Sequence, residues 1–286
     1  MTGLEPVAAA EVLDLLGRDI NEPVRVARLT GGYRNLVQRV QGQGFDWVVK
    51  QYAATDDNPL FPLRFEDELR LLADYQDTDI APCLVTTDPS RRLLVYEFVP
   101  GEVWNGDLAG AAALLSRVGK AAPRDWLRRL PSEVGELRAH TVEILEMVSD
   151  PPLLLLENFD VDDEAFRPAL VHTDSGPGNM VGTDGRYRLV DWQCPGLGDP
   201  VEDLAAFTSP GVQILYGRSP LQPPAVEKLL MSYQDPEVVK RYRWKARLYS
   251  ARFAAYCAWR IENLRGQSQV HLYRQALSAE LEFLGL

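Results

Sequence analysis

The sequence is short of histidine and cysteine, has no long apolar run and carries too little positive charge to balance its acids; each shortage removes a class of function. Its three histidines, His140, His172 and His271, lie far apart and lack the spacing that puts two imidazoles on one helix face, which argues against a histidine-rich metal hydrolase. Cys83, Cys194 and Cys257 are odd in number and widely separated. They make neither a zinc knuckle nor a redox pair, and fit free thiols in a reducing cytoplasm. No apolar stretch approaches the roughly 20 residues needed to span a bilayer. The opening MTGLEPVAAAEVLDLLGRDI has no basic region before its short apolar stripe, so it reads as an amphipathic surface helix and not as a secretory signal. With 30 Lys and Arg against 41 Asp and Glu, the net charge of −11 disfavours a nucleic-acid partner and mildly favours cationic substrates. The expectation is a soluble, cytoplasmic protein without a membrane or nucleic-acid partner.

What is present is an ordinary globular composition, 46% hydrophobic and 25% charged, over 286 residues, enough for two modest lobes. Residues 24–50, VRVARLTGGYRNLVQRVQGQGFDWVVK, alternate apolar and polar, with a Gly-Gly pair and then Gly42 and Gly44 at the reversals, a three-strand meander. Residues 63–75 carry Leu and Phe at helical spacing. Strands follow at 83–87 and 91–99, and Pro100-Gly101 breaks the pattern. Beyond it, residues 110–119, 131–148, 224–233 and 236–263 read as helices, with β-structure confined to 169–191. The predicted fold class is α+β, with lobes at 1–99 and 100–286.

The chemistry concentrates in LVHTDSGPGNMVGTDGRYRLVDWQ, residues 170–193. Gly176, Pro177 and Gly178 make a loop after Asp174, and the turn Thr183-Asp184-Gly185 predicts a hairpin that folds Asp191 back towards Asn179. A carboxylate and an amide oxygen in a partly open site suit Mg²⁺ when phosphate and water complete its shell. A further carboxylate, Asp174, can accept the proton of an attacking hydroxyl. Together these describe phosphoryl transfer. Asp184, in the tight turn, reads as a turn residue only.

The segments VHTDSGPGN, LVDWQ and GLGDPVEDLAAF closely resemble the aminoglycoside phosphotransferase and choline kinase family, small-molecule kinases with a protein-kinase-like two-lobed fold. The resemblance runs from about residue 24 to 207. It implies Asp174 as catalytic base, His172 as the residue orienting its loop, and Asn179 and Asp191 as magnesium ligands, with Asp199 and Asp203 structural. It further implies that Gly31, Gly32 and Asn35 form the phosphate loop and that Lys50 holds the phosphates of ATP. Glu68, or alternatively Glu66, would steady that lysine, and backbone at Glu97 and Val99 would bind adenine. Ser175 and Gly176 depart from the family pattern, which has an apolar residue and often histidine there. Gln193 stands where an acid is usual.

The implied activity is transfer of the γ-phosphate of ATP, with Mg²⁺, to a hydroxyl of an aminoglycoside-, choline- or sugar-like small molecule. A non-catalytic kinase-like protein that binds nucleotide or metabolite is the alternative. For the acceptor, the acidic residues Glu157, Asp160, Asp162, Asp163 and Glu164, with Tyr249, Tyr256 and Trp259 of an aromatic-rich helix, offer a setting for an amine or quaternary ammonium group. The same aromatics also suit a helix packed into a core.

Overall fold

A computed structural model describes residues 5–29, 35–53, 58–156, 164–183 and 185–286. The chain divides into two compact units. The first comprises residues 1–102 together with Val181–Thr183 and Tyr187–Cys194; the second holds the remainder.

In the first unit a helix, α1 (Ala9–Leu15), precedes the strands β1 (Arg25–Arg28), β2 (Leu36–Gly42) and β3 (Phe45–Gln51). A second helix, α2 (Phe65–Asp74), leads into β4 (Leu84–Asp88) and β5 (Leu93–Glu97). The sheet is antiparallel in the order β1-β2-β3-β5-β4, so β3 is central. Alternation of side chains sends Val49 to one face, where it joins Val7, Val12, Val40, Leu93 and Val95 in a core cluster that includes α1. Lys50, the next residue along β3, faces the other way and is also buried. Helix α2 turns Phe65, Glu68, Leu71 and Leu72 inward, a helical stripe in which one position is a carboxylate.

A two-residue strand, β6 (Glu102–Val103), ends this stretch, and α3 (Leu108–Lys120), α4 (Val134–Glu146) and β7 (Ala169–Val171) follow. The predicted hairpin forms between β8 (Met180–Thr183) and β9 (Arg186–Leu189). Its inner portion belongs to the first unit because Leu189 donates its N–H to the Ile80 carbonyl at 2.9 Å and Arg188 pairs with Asp79 at 2.8 Å. Contacts of this range in sequence are why a single cut near residue 100 does not describe the chain.

In the second unit β10 (Gly196–Gly198) pairs antiparallel with β7. The helices α5 (Val201–Thr208), α6 (Pro210–Leu215), α7 (Pro223–Ser232), α8 (Pro236–Asn263) and α9 (Val270–Leu284) complete it. Starts are signalled by side-chain caps: Asp107 accepts from Gly110 N–H at 3.0 Å, Ser209 from Val212 N–H, and Asp235 from Glu237 and Val238 N–H, with Pro210 and Pro236 at first helical positions. Each such cap is worth about 1 kcal/mol. The long helix α8 is packed by α4, α5 and α9, and its stretch from Leu248 to Ala258 is buried all round. No helix among the described residues is long and apolar enough to cross a membrane.

Two aspartates after β10 organise the loop that follows β7. Asp199 is fully buried and accepts from Arg241 twice at 3.1 Å, from Lys245 at 2.9 Å and from Val201 N–H at 3.1 Å. Asp203, on α5, takes the backbone N–H groups of His172 and Thr173 on its two oxygens, both at 3.0 Å. Thr173 there adopts a left-handed φ of 72°, a conformation that needs such external support in a β-branched residue. Burial lifts the Asp203 carboxyl to about 7, against the opposing pull of the two N–H groups.

Asp203→Asn is expected to cost about 1–3 kcal/mol of stability, because an amide cannot accept both backbone hydrogen bonds. The folded-state pKa of Asp203 lies above its ordinary value of 3.8. Its stabilising contribution is therefore complete below about pH 4 and declines as pH rises through about 7. Denaturant unfolding of wild type and variant between pH 4 and 8 should show the wild-type advantage shrinking up to about pH 7 and then levelling. A constant difference would contradict this role.

Candidate active site

The first unit gathers three of the expected residues around one ammonium group. Lys50 Nζ lies 2.5 Å from Glu68 Oε2 and 2.5 Å from Asp191 Oδ1. Lys50 and Glu68 are only 2% and 1% exposed, whereas Asp191 is 31% exposed. Glu68 is thus the partner of Lys50; Glu66, exposed on the same helix, is not. Burial by itself would push the lysine towards neutrality, but the Asp191 and Glu68 charges outweigh it and hold the ammonium above its ordinary value. Two carboxylates surround one cation, and Asp191 is the exposed member of the cluster.

Glu68 does more than pair with Lys50. Its Oε2 also accepts from the Tyr52 hydroxyl, and its Oε1 accepts from Trp192 N–H at 3.1 Å. The second contact grips the chain immediately after Asp191, which has a left-handed φ of 64°. Lys50 on its carboxylate and Glu68 on the next peptide hold Asp191 in that uncommon conformation. Tyr52, whose ring also lies 4.8 Å from Lys50 Nζ, was not foreseen from sequence. Its place two residues after Lys50, on the same side of the strand direction, was the available signal.

The phosphate loop itself, Gly31 and Gly32, lies outside the described residues. Asn35, expected there to bind nucleotide, is buried and uses its side chain within the protein: Nδ2 donates to Gln193 Oε1 and Oδ1 accepts from Ala53 N–H, both at 3.4 Å. This gives the amide at position 193 a neutral partner that an acid would meet differently. At the adenine-side expectation, Glu97 spends its N–H on the Cys83 carbonyl at 2.9 Å. Among the described residues the Val99 N–H donates to no partner, which leaves it available to a ligand.

The second unit holds the expected base. Asp174 is half-buried in the loop after β7, and Asn179 Nδ2 donates to its backbone carbonyl at 2.7 Å. That contact uses an amide N–H of Asn179, whose Oδ1 is its acceptor atom. His172 is fully buried, and its backbone N–H donates to Asp203. The Tyr216 hydroxyl stands 3.4 Å from Asp174 Oδ1, another contact that the sequence reading missed.

Of the aromatic residues of α8, Tyr249 and Tyr256 are buried where α4, α5 and α9 cover the helix, and Tyr256 packs with Phe253 and with the half-buried Trp259 and Tyr273. Glu164 pairs with Lys240, and residues 157–163 lie outside the described residues. Asp184 is likewise outside them. Among the described residues no group of three or more His, Cys, Asp and Glu side chains is arranged to hold a metal ion. Of the two expected magnesium ligands, Asn179 lies in the second unit and Asp191 in the first.

Residues 25–244 match the model of the phosphotransferase enzyme family. Among solved structures, choline kinase LicA from Streptococcus pneumoniae superposes with a TM-score of 0.63 at 16% identity, covering 95% of this chain and 96% of that one. A choline/ethanolamine kinase family protein from Mesorhizobium loti gives 0.65 at 17% identity, covering 93% and 87%. Spectinomycin phosphotransferase APH(9)-Ia, in complex with ADP and spectinomycin, gives 0.57 at 14%, covering 99% and 100%. At these identities the likeness establishes the kinase-like α+β fold. No curated protein sequence matches the chain. With the family model spanning most of its length, the chain belongs to the phosphotransferase enzyme family.

Proposed function

We propose that this phosphotransferase, a small-molecule kinase, moves the γ-phosphate of ATP to a hydroxyl group of a small acceptor in a Mg²⁺-dependent reaction. The observation that carries the reading is the buried Lys50 ammonium held between Glu68 and the exposed Asp191. A fixed cation beside an outward-facing carboxylate is the arrangement that phosphate oxygens and their metal require. Mg²⁺, when bound through Asn179 Oδ1 and Asp191, would neutralise the phosphate charge.

The remaining roles fall to the chain's own groups. Lys50 holds phosphate oxygens, and Glu68 keeps it from rotating away. The Val99 N–H and the backbone at Glu97 meet the adenine edge, and the loop at Gly31 and Gly32 covers the phosphates. Asp174 accepts the hydroxyl proton of the acceptor as its oxygen bonds to the γ-phosphorus and the bond to the ADP oxygen breaks. Buried His172 and Asp203 hold the loop that carries Asp174. Choline, spectinomycin and hygromycin B, the small molecules that structurally similar phosphotransferases are named for or bind, all carry hydroxyl groups and set the class to be tried first. The three free cysteines agree with a cytoplasmic setting.

Asp174→Asn should lower phosphotransfer by about 10²-fold or more while leaving ATP affinity, measured by calorimetry, near wild type. Full retention of turnover would remove Asp174 from the role of base. Asp191→Ala should abolish the tightening of ATP binding by Mg²⁺ that wild type shows in the same titration. If Mg²⁺ tightens binding equally in both proteins, Asp191 is not a ligand. A protein that binds Mg-ATP tightly yet yields no phosphorylated product with any hydroxyl acceptor would favour the non-catalytic alternative.

A further inference from the structure

The loop residues Ser175 and Gly176 depart from the family pattern, and the structure shows what occupies the space they leave. The Tyr216 ring lies against the backbone of both Gly176 and Gly178: a Cβ at either would fall 2.3 or 2.2 Å from its ring carbons. No side chain fits at those positions while the ring is there. Ser175, on the other side, donates its hydroxyl to the Asp203 carbonyl at 2.8 Å, fastening the loop to α5. The loop is thus held between α5 and an aromatic ring, and the hydroxyl of that ring reaches Asp174 Oδ1 at 3.4 Å.

Tyr216 is itself held firmly. It follows α6, whose first turn is tied to α9: the buried Glu280 accepts from the Ser209 hydroxyl and, at 2.8 Å, from Gly211 N–H, and its second oxygen accepts from the Ser250 hydroxyl of α8. After Tyr216 the chain reverses at Gly217, with φ of 71°, and Arg218 N–H returns to the Gln213 carbonyl at 2.9 Å. The Arg218 guanidinium then donates to the Trp104 carbonyl and lies 5.0 Å from the Trp104 ring. Short helix, reversal and arginine together leave the ring little freedom to leave the loop.

We infer that Tyr216 is a positioning residue for the base, its hydroxyl fixing the plane of the Asp174 carboxylate and its ring replacing side chains at Gly176 and Gly178 as the support of the loop. The inference rests on the assignment of Asp174 as base. A hydrogen bond of this kind costs nothing in nucleotide binding and acts on the chemical step alone, since a carboxylate free to rotate spends less time in line with the attacking hydroxyl. The 3.4 Å separation is long for a settled O–H···O bond, as is usual for such contacts before an acceptor closes the site.

The test uses phosphoryl transfer from Mg-ATP to water, an acceptor that needs no prior identification, in the full-length protein. Tyr216→Phe keeps the ring on the glycines and removes only the hydroxyl. It is expected to lower kcat about tenfold, with KM for ATP within about twofold of wild type and the melting temperature within about 2 °C. A kcat within twofold of wild type overturns the inference, and so does a loss of kcat that accompanies an equal loss of folded protein, which would mark the ring as packing only. Tyr216→Ala, which also removes the ring, should lose more kcat than Tyr216→Phe; equal losses would overturn the part given to the ring. Wild-type protein that binds Mg-ATP but transfers phosphate to no acceptor, water included, refutes the phosphotransferase reading and Tyr216's role with it.

Discussion

One buried ammonium governs the arrangement of the first unit of this protein. Lys50 sits at 2.5 Å from both Glu68 and Asp191, and neither it nor Glu68 has water to fall back on. A buried ion pair of this sort is weak evidence for stability, since desolvation offsets most of the attraction, but removing one partner typically costs about 3–5 kcal/mol. The cluster therefore constrains everything it touches. Helix α2 must present Glu68, β3 must deliver Lys50 to the face opposite α1, and the segment after β9 must bring Asp191 and Trp192 N–H to the same point. Asp191 accepts a left-handed backbone as the cost of being there.

The loop that carries Asp174 follows a different logic, in which backbone groups do the holding. Asp203 takes two consecutive N–H groups, Ser175 returns a hydroxyl to the Asp203 carbonyl, and Asn179 closes on the Asp174 carbonyl. Asp174 stays half-buried in this loop, and Asn179 is buried behind it. Behind this loop lies a second buried layer, with Asp199 neutralised by Arg241 and Lys245 and Glu202 by Arg252. Charged groups so deep are tolerable only when paired. They tie α5 to α8 and make the loop's support a property of the helical core.

Much of this was legible in the sequence, for identifiable reasons. The meander from residue 24 to 50 shows itself by alternation and by glycines at the reversals, and the His172-Asp174-Asn179 spacing carries its own chemistry. The choice between Glu66 and Glu68 stayed open because both are compatible with a helix. Placing Glu68 on the stripe of Phe65, Leu71 and Leu72 would have settled it. Tyr249 and Tyr256 could not be sorted from sequence into core or ligand cage, because aromatic spacing on a helix is the same in both. Tyr216 and Glu280 were hidden for another reason: their partners lie 42 residues and up to 71 residues away, and α6 is too short to announce itself by periodicity. Gln193 is intelligible only once Asn35 is seen beside it.

The central claim is that the Lys50 cluster exists to hold nucleotide phosphate. It is tested most directly by measuring the affinities of ATP and adenosine, in Mg²⁺, for wild type and for Lys50→Met. The account predicts that wild type prefers ATP to adenosine by about tenfold or more and that the variant, still folded, loses most of that preference. An unchanged ATP-to-adenosine ratio in the folded variant would contradict it.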